Sequence, residues 1–185
     1  MLVMIRAILA LLGLHCSSAT LTYPERNPAL GKYQDESQCF PLQETWYMLY
    51  RNYAHDPAFG GTAKCVQFTN TGPEVNGGYP LVIRFGNSSN SVTATLESSP
   101  GYTAKNIIKL KPEGQDTSLS VFDGYMMCKE CALLRFPYAN ENACGLLVPE
   151  SQLGQDITCC KFAFDLLCGT SPKYIIYEES CSTKK

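Results

Sequence analysis

The chain has 185 residues, 45% of them apolar and 17% charged, with a formal net charge of −2. That apolar share excludes general disorder, and its 14 Gly and 11 Pro follow no three-residue period, which excludes collagen. The 15 Lys and Arg are thinly spread, so no basic stripe neutralises phosphates and no nucleic-acid partner is expected.

The chain opens as a secretory leader. Arg6 precedes the apolar run Ala7 to Leu14, and Ser17-Ser18-Ala19 supplies small residues before a cut. This pattern predicts cleavage after Ala19. The run falls short of the roughly 20 apolar residues a membrane span needs, and no later run is longer. Residues 1–19 are therefore read as a signal peptide, and 20–185 as one secreted domain with no membrane partner. Ten cysteines suit an oxidising compartment. Loss of Cys16 with the leader leaves an odd number.

Strand signals follow. Trp46 to Tyr53 alternates as a half-buried strand does, and Asp56-Pro57 and Gly60-Gly61 end it. Lys64 to Thr69, Tyr79 to Phe85 and Ser91 to Leu96 come next, with Asn87 to Asn90 read as a turn. Tyr102 to Lys111, Thr117 to Asp123, Glu130 to Phe136 and Ala143 to Val148 complete eight strands. Their regular spacing is that of an all-β sandwich or up-and-down barrel. The period then changes. Apolar residues at 157, 160, 163, 164 and 167 form one helical face, with Gly169 and Pro172 just beyond it. A last extended piece, Lys173 to Tyr177, leads to Cys181.

Nothing in this order suggests catalysis. After the leader, His55 is the only histidine, and it sits in a turn. No GxSxG, HExxH or P-loop pattern is present. Cys128 to Cys131 is a lone CxxC without a second spaced pair, a weak basis for zinc or redox chemistry. No enzyme activity, cofactor or metal is expected. An eight-stranded barrel can hold one small ligand. The 11 Tyr, 8 Phe and one Trp serve a pocket and a filled core equally well, and composition leaves both open.

Three stretches resemble a known family: Tyr47 to Cys65, Cys131 to Val148, and Cys159 to Gly169 followed by Cys181. They are similar to the first hairpin, the penultimate hairpin and the cysteine-bearing helix and tail of the tick salivary lipocalins, the tick histamine-binding protein family. The resemblance implies an eight-stranded antiparallel lipocalin barrel with the C-terminal helix packed outside. It implies a secreted salivary protein that helps evade host defence by sequestering a small inflammatory mediator, first a biogenic amine such as histamine. A hydrophobic mediator (leukotriene, fatty acid or sterol) is one alternative, for which Arg84 and Arg135 are candidate inward bases. An inhibitor that binds a host complement or haemostasis protein is the other.

Nine cysteines cannot be paired from sequence alone. The resemblance implies Cys65–Cys181, Cys131–Cys160 and Cys39–Cys159. With those assigned, Cys144–Cys168 is the best remaining bridge and Cys128 is left over, as a buried thiol or one that pairs between molecules. For the ligand, the resemblance carries Tyr53, Asp56 and Phe59 onto binding positions after the first strand, and Asp123 onto a pocket acid. Asp56 is also ordinary turn chemistry before Pro57. Ala132 and Gly145 stand where the family's amine binders carry acids, which implies a larger, less anionic pocket. One amine site is expected, built from Tyr53, Asp123 and an aromatic such as Phe59 or Trp46. Asn87-Ser88-Ser89 is a sequon, and Asn87 is expected to carry glycan.

Overall fold

The computed structural model describes residues 23–182, so the leader read at 1–19 lies outside it. Eight strands run β1 (Trp46–Arg51), β2 (Gln67–Asn70), β3 (Gly78–Phe85), β4 (Ser88–Glu97), β5 (Ile107–Pro112), β6 (Leu119–Met127), β7 (Cys131–Arg135) and β8 (Cys144–Pro149). Each pairs antiparallel with the next from β2 to β8, and β1 joins both β8 and β2, closing the barrel. β2 pairs with β1 only at Trp46 and Tyr47. Beyond them a short strand, β9 (Tyr174–Ile175), takes over at Tyr50 and Arg51. The edge that β2 leaves is thereby covered.

The eight strands and the helix stand where the residue periods put them, with shifted ends. The turn expected at Asn87 to Asn90 is tighter: β4 already begins at Ser88, and Gly86 turns the chain at φ +57. Asn87 is exposed in this hairpin.

Two bulges decide which side chains enter the barrel. In β1 the register shifts between Met48 and Tyr50. Trp46 and Met48 join the interior cluster, Tyr50 joins the outer one, and Arg51 turns back in beside Gly145. In β6 the shift falls between Asp123 and Tyr125. A Cβ on Gly124 would stand 2.9 Å from Leu133 Cδ2 and 3.3 Å from its carbonyl oxygen, so any larger residue there would have to displace Leu133. The bulge lets both Asp123 and Met126, an odd number of residues apart, share the inner face with Val121.

Helix α1 (Thr158–Cys168) packs outside β7 and β8. Ile157, Cys160 and Phe164 are buried with Leu133 and Leu146, and Phe164 meets Tyr50 edge-on at 4.8 Å between centroids. Burying a ring of that size stabilises by about 2–3 kcal/mol.

Before β1 the chain forms three 3-10 turns, Pro24–Arg26, Pro28–Tyr33 and Glu36–Gln38. They cover the barrel end where the β6–β7 hairpin lies. Glu36 N–H donates to Lys105 O, Asn106 Nδ2 donates to Glu25 O, and Arg135 pairs with Glu25.

Four disulfides staple these parts: Cys39–Cys128, Cys65–Cys181, Cys131–Cys160 and Cys144–Cys168. The expected Cys39–Cys159 bridge is absent. Neighbouring residues on a helix point about 100° apart, so with Cys160 turned to the barrel Cys159 is exposed and free. Cys39 follows the N-terminal cover and meets Cys128 on the hairpin beneath it. In the chain-entropy account, Cys65–Cys181, 116 residues apart, is worth on the order of 4–5 kcal/mol.

Candidate functional site

The residues expected to bind ligand divide between the two ends of the barrel. Tyr53, Asp56 and Phe59 lie in the loop after β1, at the end away from the N-terminal cover. All three are buried. Asp56 Oδ2 accepts from Tyr53 Oη at 2.8 Å and Tyr138 Oη at 3.3 Å. Its Oδ1 accepts from the N–H groups of Ala58 and Phe59, both at 2.9 Å. Arg51, wholly buried, stands 3.6 Å from Oδ2 and also donates to the carbonyls of Ala54 and Gly61. Its guanidinium lies 4.7 Å from the Tyr53 ring centroid. Burial, and then the Asp56 charge, pushes the Tyr53 and Tyr138 phenols up, so both remain donors. Asp56 thus has its charge matched by Arg51 and its oxygens filled. This is the Asp-Pro turn chemistry made into a buried plug.

The other end is different. An apolar cavity of about 40 Å³ lies between Trp46, Phe68, Leu110, Val121, Ala132, Leu134 and Phe136, and Glu36, Phe40 and Leu42 bound it from the N-terminal cover. Glu36 is 1% exposed and Asp123 0%. Glu36 Oε1 has no hydrogen-bond partner, nor has Oε1 of buried Gln34, and the carboxyl of Asp123 has no side-chain donor, only the Tyr125 backbone N–H nearby. Burial, with the Asp35 charge added, pushes Glu36 up from 4.5 to about 8. Burial, with the Glu36 charge added, pushes Asp123 well up too. Two buried carboxyl groups without a paired cation, one of them at the edge of an apolar space, carry an unmet demand for positive charge or protons.

The pocket is smaller than the Ala132 and Gly145 replacements suggested. A Cβ on Gly145 would meet Phe136 Cε2 at 2.9 Å and Met48 Cε at 3.1 Å. Those side chains occupy the room an acid at 145 would take. Ala132 lines the cavity near Trp46 rather than standing beside Asp56. The two candidate bases for a lipid carboxylate face away from the interior. Arg84 is exposed, while Arg135 shares the outer face with Leu133, pairs with Glu25 and lies 4.1 Å from the Tyr23 ring centroid.

Glu36, Arg51 and Tyr138 carry much of this chemistry and were missed in the sequence. Asp35-Glu36-Ser37 reads as a solvated turn, and Asp35 does cap it, accepting from Ser37 N–H at 3.2 Å. The one available signal was Cys39, three residues on, which ties the segment to the barrel. Arg51 lies in a strand whose alternation places it outward until a bulge intervenes. Among the described residues no cluster of His, Cys, Asp and Glu is arranged to hold a metal, and no helix is long and apolar enough to cross a membrane.

No curated protein sequence matches the chain. Among solved structures, the crystal structure of the AM182 serotonin complex is similar. The alignment has a TM-score of 0.55 and 15% identity, and covers 91% of this chain and 97% of that one. At that identity the likeness shows the fold. Residues 24–183 match the family model described as tick histamine binding protein, and the chain belongs to that family.

Proposed function

We propose that the protein is a secreted lipocalin that sequesters one small amine per chain. The ammonium lies between Glu36 and Asp123, and the ring enters the apolar cavity beside Trp46 and Phe136. The observation that carries this reading is the pair of buried carboxyl groups with no side-chain donor and no paired cation. Membership of the tick histamine-binding family supports an amine, as does the serotonin held by the similar AM182. The leader pattern and four disulfides support secretion. Tyr53, Asp56 and Phe59 form the floor of the barrel and leave no charge for a second amine. The cavity is smaller than an aryl-ethylamine, so the ligand has to displace side chains that line it, Met126 and Phe40 foremost. A leukotriene or fatty acid finds neither a base nor the length of channel it needs.

Titration calorimetry with serotonin and with histamine tests this. One site per chain, lost in Asp123→Asn, is the expected result. Two sites per chain, or tight leukotriene binding without amine binding, would overturn it.

A further inference from the structure

Helix α1 has a second apolar face that the barrel does not use. Ile157, Cys160 and Phe164 point to the barrel. Cys159, Phe162 and Leu166, spaced three and four apart, point the other way, with Phe162 67% and Leu166 70% exposed. A cleft of about 570 Å³ runs along this stripe, walled by Leu30, Tyr33 and Tyr125. Cys159 is the free thiol among the described residues, in a domain whose other four cysteine pairs are oxidised.

We infer that two copies of the chain join through this face, with Cys159 of each bonded to the other. Three properties of the face favour a second copy as the occupant. First, spacing of three and four residues is the seam of a parallel helix pair, in which each residue meets its own copy across a two-fold axis. Cys159 then stands opposite Cys159, Phe162 opposite Phe162 and Leu166 opposite Leu166. Second, no charge lies in the stripe itself. Asp165, on its flank, is already paired with Lys173 of its own chain, and exposed Lys161 and Lys32, the latter over the Tyr33 ring, lie at the margins, where water screens them. Third, the area is small. Two residues two-thirds exposed, with Tyr33, offer roughly 300–400 Å² per copy, well below the roughly 800 Å² per partner of a stable non-covalent interface. The face aligns two copies and does not hold them, and the thiol at its N-terminal end supplies the bond.

The chemistry balances with a small-molecule disulfide as oxidant. One Cys159 thiolate attacks oxidised glutathione, forming a mixed disulfide and releasing one reduced glutathione. The Cys159 thiolate of the second copy attacks the mixed disulfide, forming the interchain S–S bond and releasing the second. The two thiol protons end on the two glutathione thiols.

The test uses the full chain secreted from eukaryotic cells, read by light scattering, non-reducing and reducing gels, and mapping of the disulfide-linked peptides. Twice the chain mass, falling to one on reduction, with a Cys159–Cys159 peptide, is expected. Cys159→Ser is expected to be monomeric with melting temperature and serotonin affinity unchanged. Phe162→Asp with Leu166→Asp, keeping Cys159, is expected to cut the dimer fraction several-fold while the far-ultraviolet spectrum stays the same. A monomer with a free thiol, or one capped by glutathione, would overturn the inference. So would a dimer undiminished in the Phe162→Asp/Leu166→Asp variant, which would show that the helix face does not guide pairing.

Discussion

Neutralising Glu36 is expected to strengthen the empty protein and weaken ligand binding at once. Burial raises the Glu36 carboxyl from 4.5 to about 8. The native state therefore holds a proton that the unfolded chain releases. This stability is fully present below pH 4.5 and is lost as pH rises from there to about 8. The loss above pH 8 is on the order of 4–5 kcal/mol. In Glu36→Gln that dependence disappears, while a buried amide without partners costs about 1–3 kcal/mol. The variant should thus gain about 2–3 kcal/mol over wild type at pH 8, or roughly 5–10 °C in melting temperature. At pH 4.5 it should gain nothing. Thermal melts of the ligand-free protein across pH 4.5–8 measure the difference.

Binding should run the opposite way. An ammonium requires an ionised carboxylate, so near neutral pH the protein releases a proton as the amine enters. Serotonin, whose ammonium stays charged throughout, should bind about tenfold tighter per pH unit from 6 to 8. Its heat of binding should depend on the buffer that takes up the proton. Glu36→Gln and Asp123→Asn should each weaken it by about 3–5 kcal/mol, hundreds- to thousands-fold. A serotonin affinity flat from pH 6 to 8, or a Glu36→Gln protein less stable than wild type at pH 8, would refute the reasoning.

Arg51→Met leaves Asp56 buried without its cation and should destabilise by about 3–5 kcal/mol, visible as a lower urea midpoint. Gly145→Ala pushes a methyl to 2.9 Å from Phe136 Cε2 and should cost about 1–3 kcal/mol of stability. Cys39→Ser frees the N-terminal cover from the β6–β7 hairpin, and hydrogen exchange should then rise in residues 24–40 before the strands are affected. Asn87 lies exposed in the β3–β4 hairpin, so protein secreted from eukaryotic cells should lose mass when treated with an N-glycosidase.

The strands and helix were legible because their periods are those of half-buried elements. Residues 157, 160, 164 and 167 recur at helical spacing, and Tyr79 to Phe85 alternates across a barrel wall. The bulges were not legible, because an extra residue leaves no mark on composition, and they decide that Arg51 and Met126 point inward. The N-terminal cover was missed for another reason. Its turns are short, polar and rich in Pro, which locally reads as exposed chain, and only tertiary contacts bury Glu25 and Glu36. Asp123 was found through the resemblance alone. The Cys39 pairing failed where the resemblance required two adjacent helical cysteines both to reach the barrel.

Asp56 and Asp123 show why the type of a residue does not decide its role. Both are aspartates with almost no exposed surface. Asp56 receives two phenol hydroxyls, two backbone N–H groups and a guanidinium, and an amine arriving there would have to displace Arg51, a cation already desolvated and bonded. The exchange gains little, since one buried cation replaces another. Asp123 receives no side-chain donor and no cation, only the Tyr125 backbone N–H, and Oε1 of Glu36, the acid whose charge acts on it most, has no partner. In the empty barrel that deficit is met by holding protons; on the proposed reading one proton leaves when an ammonium arrives, and the two groups, sharing the proton that stays, become its partners. On the proposed reading, the stability lost by leaving Glu36 and Asp123 without side-chain donors is the source of the affinity, so selectivity for a cation would follow from what the interior withholds.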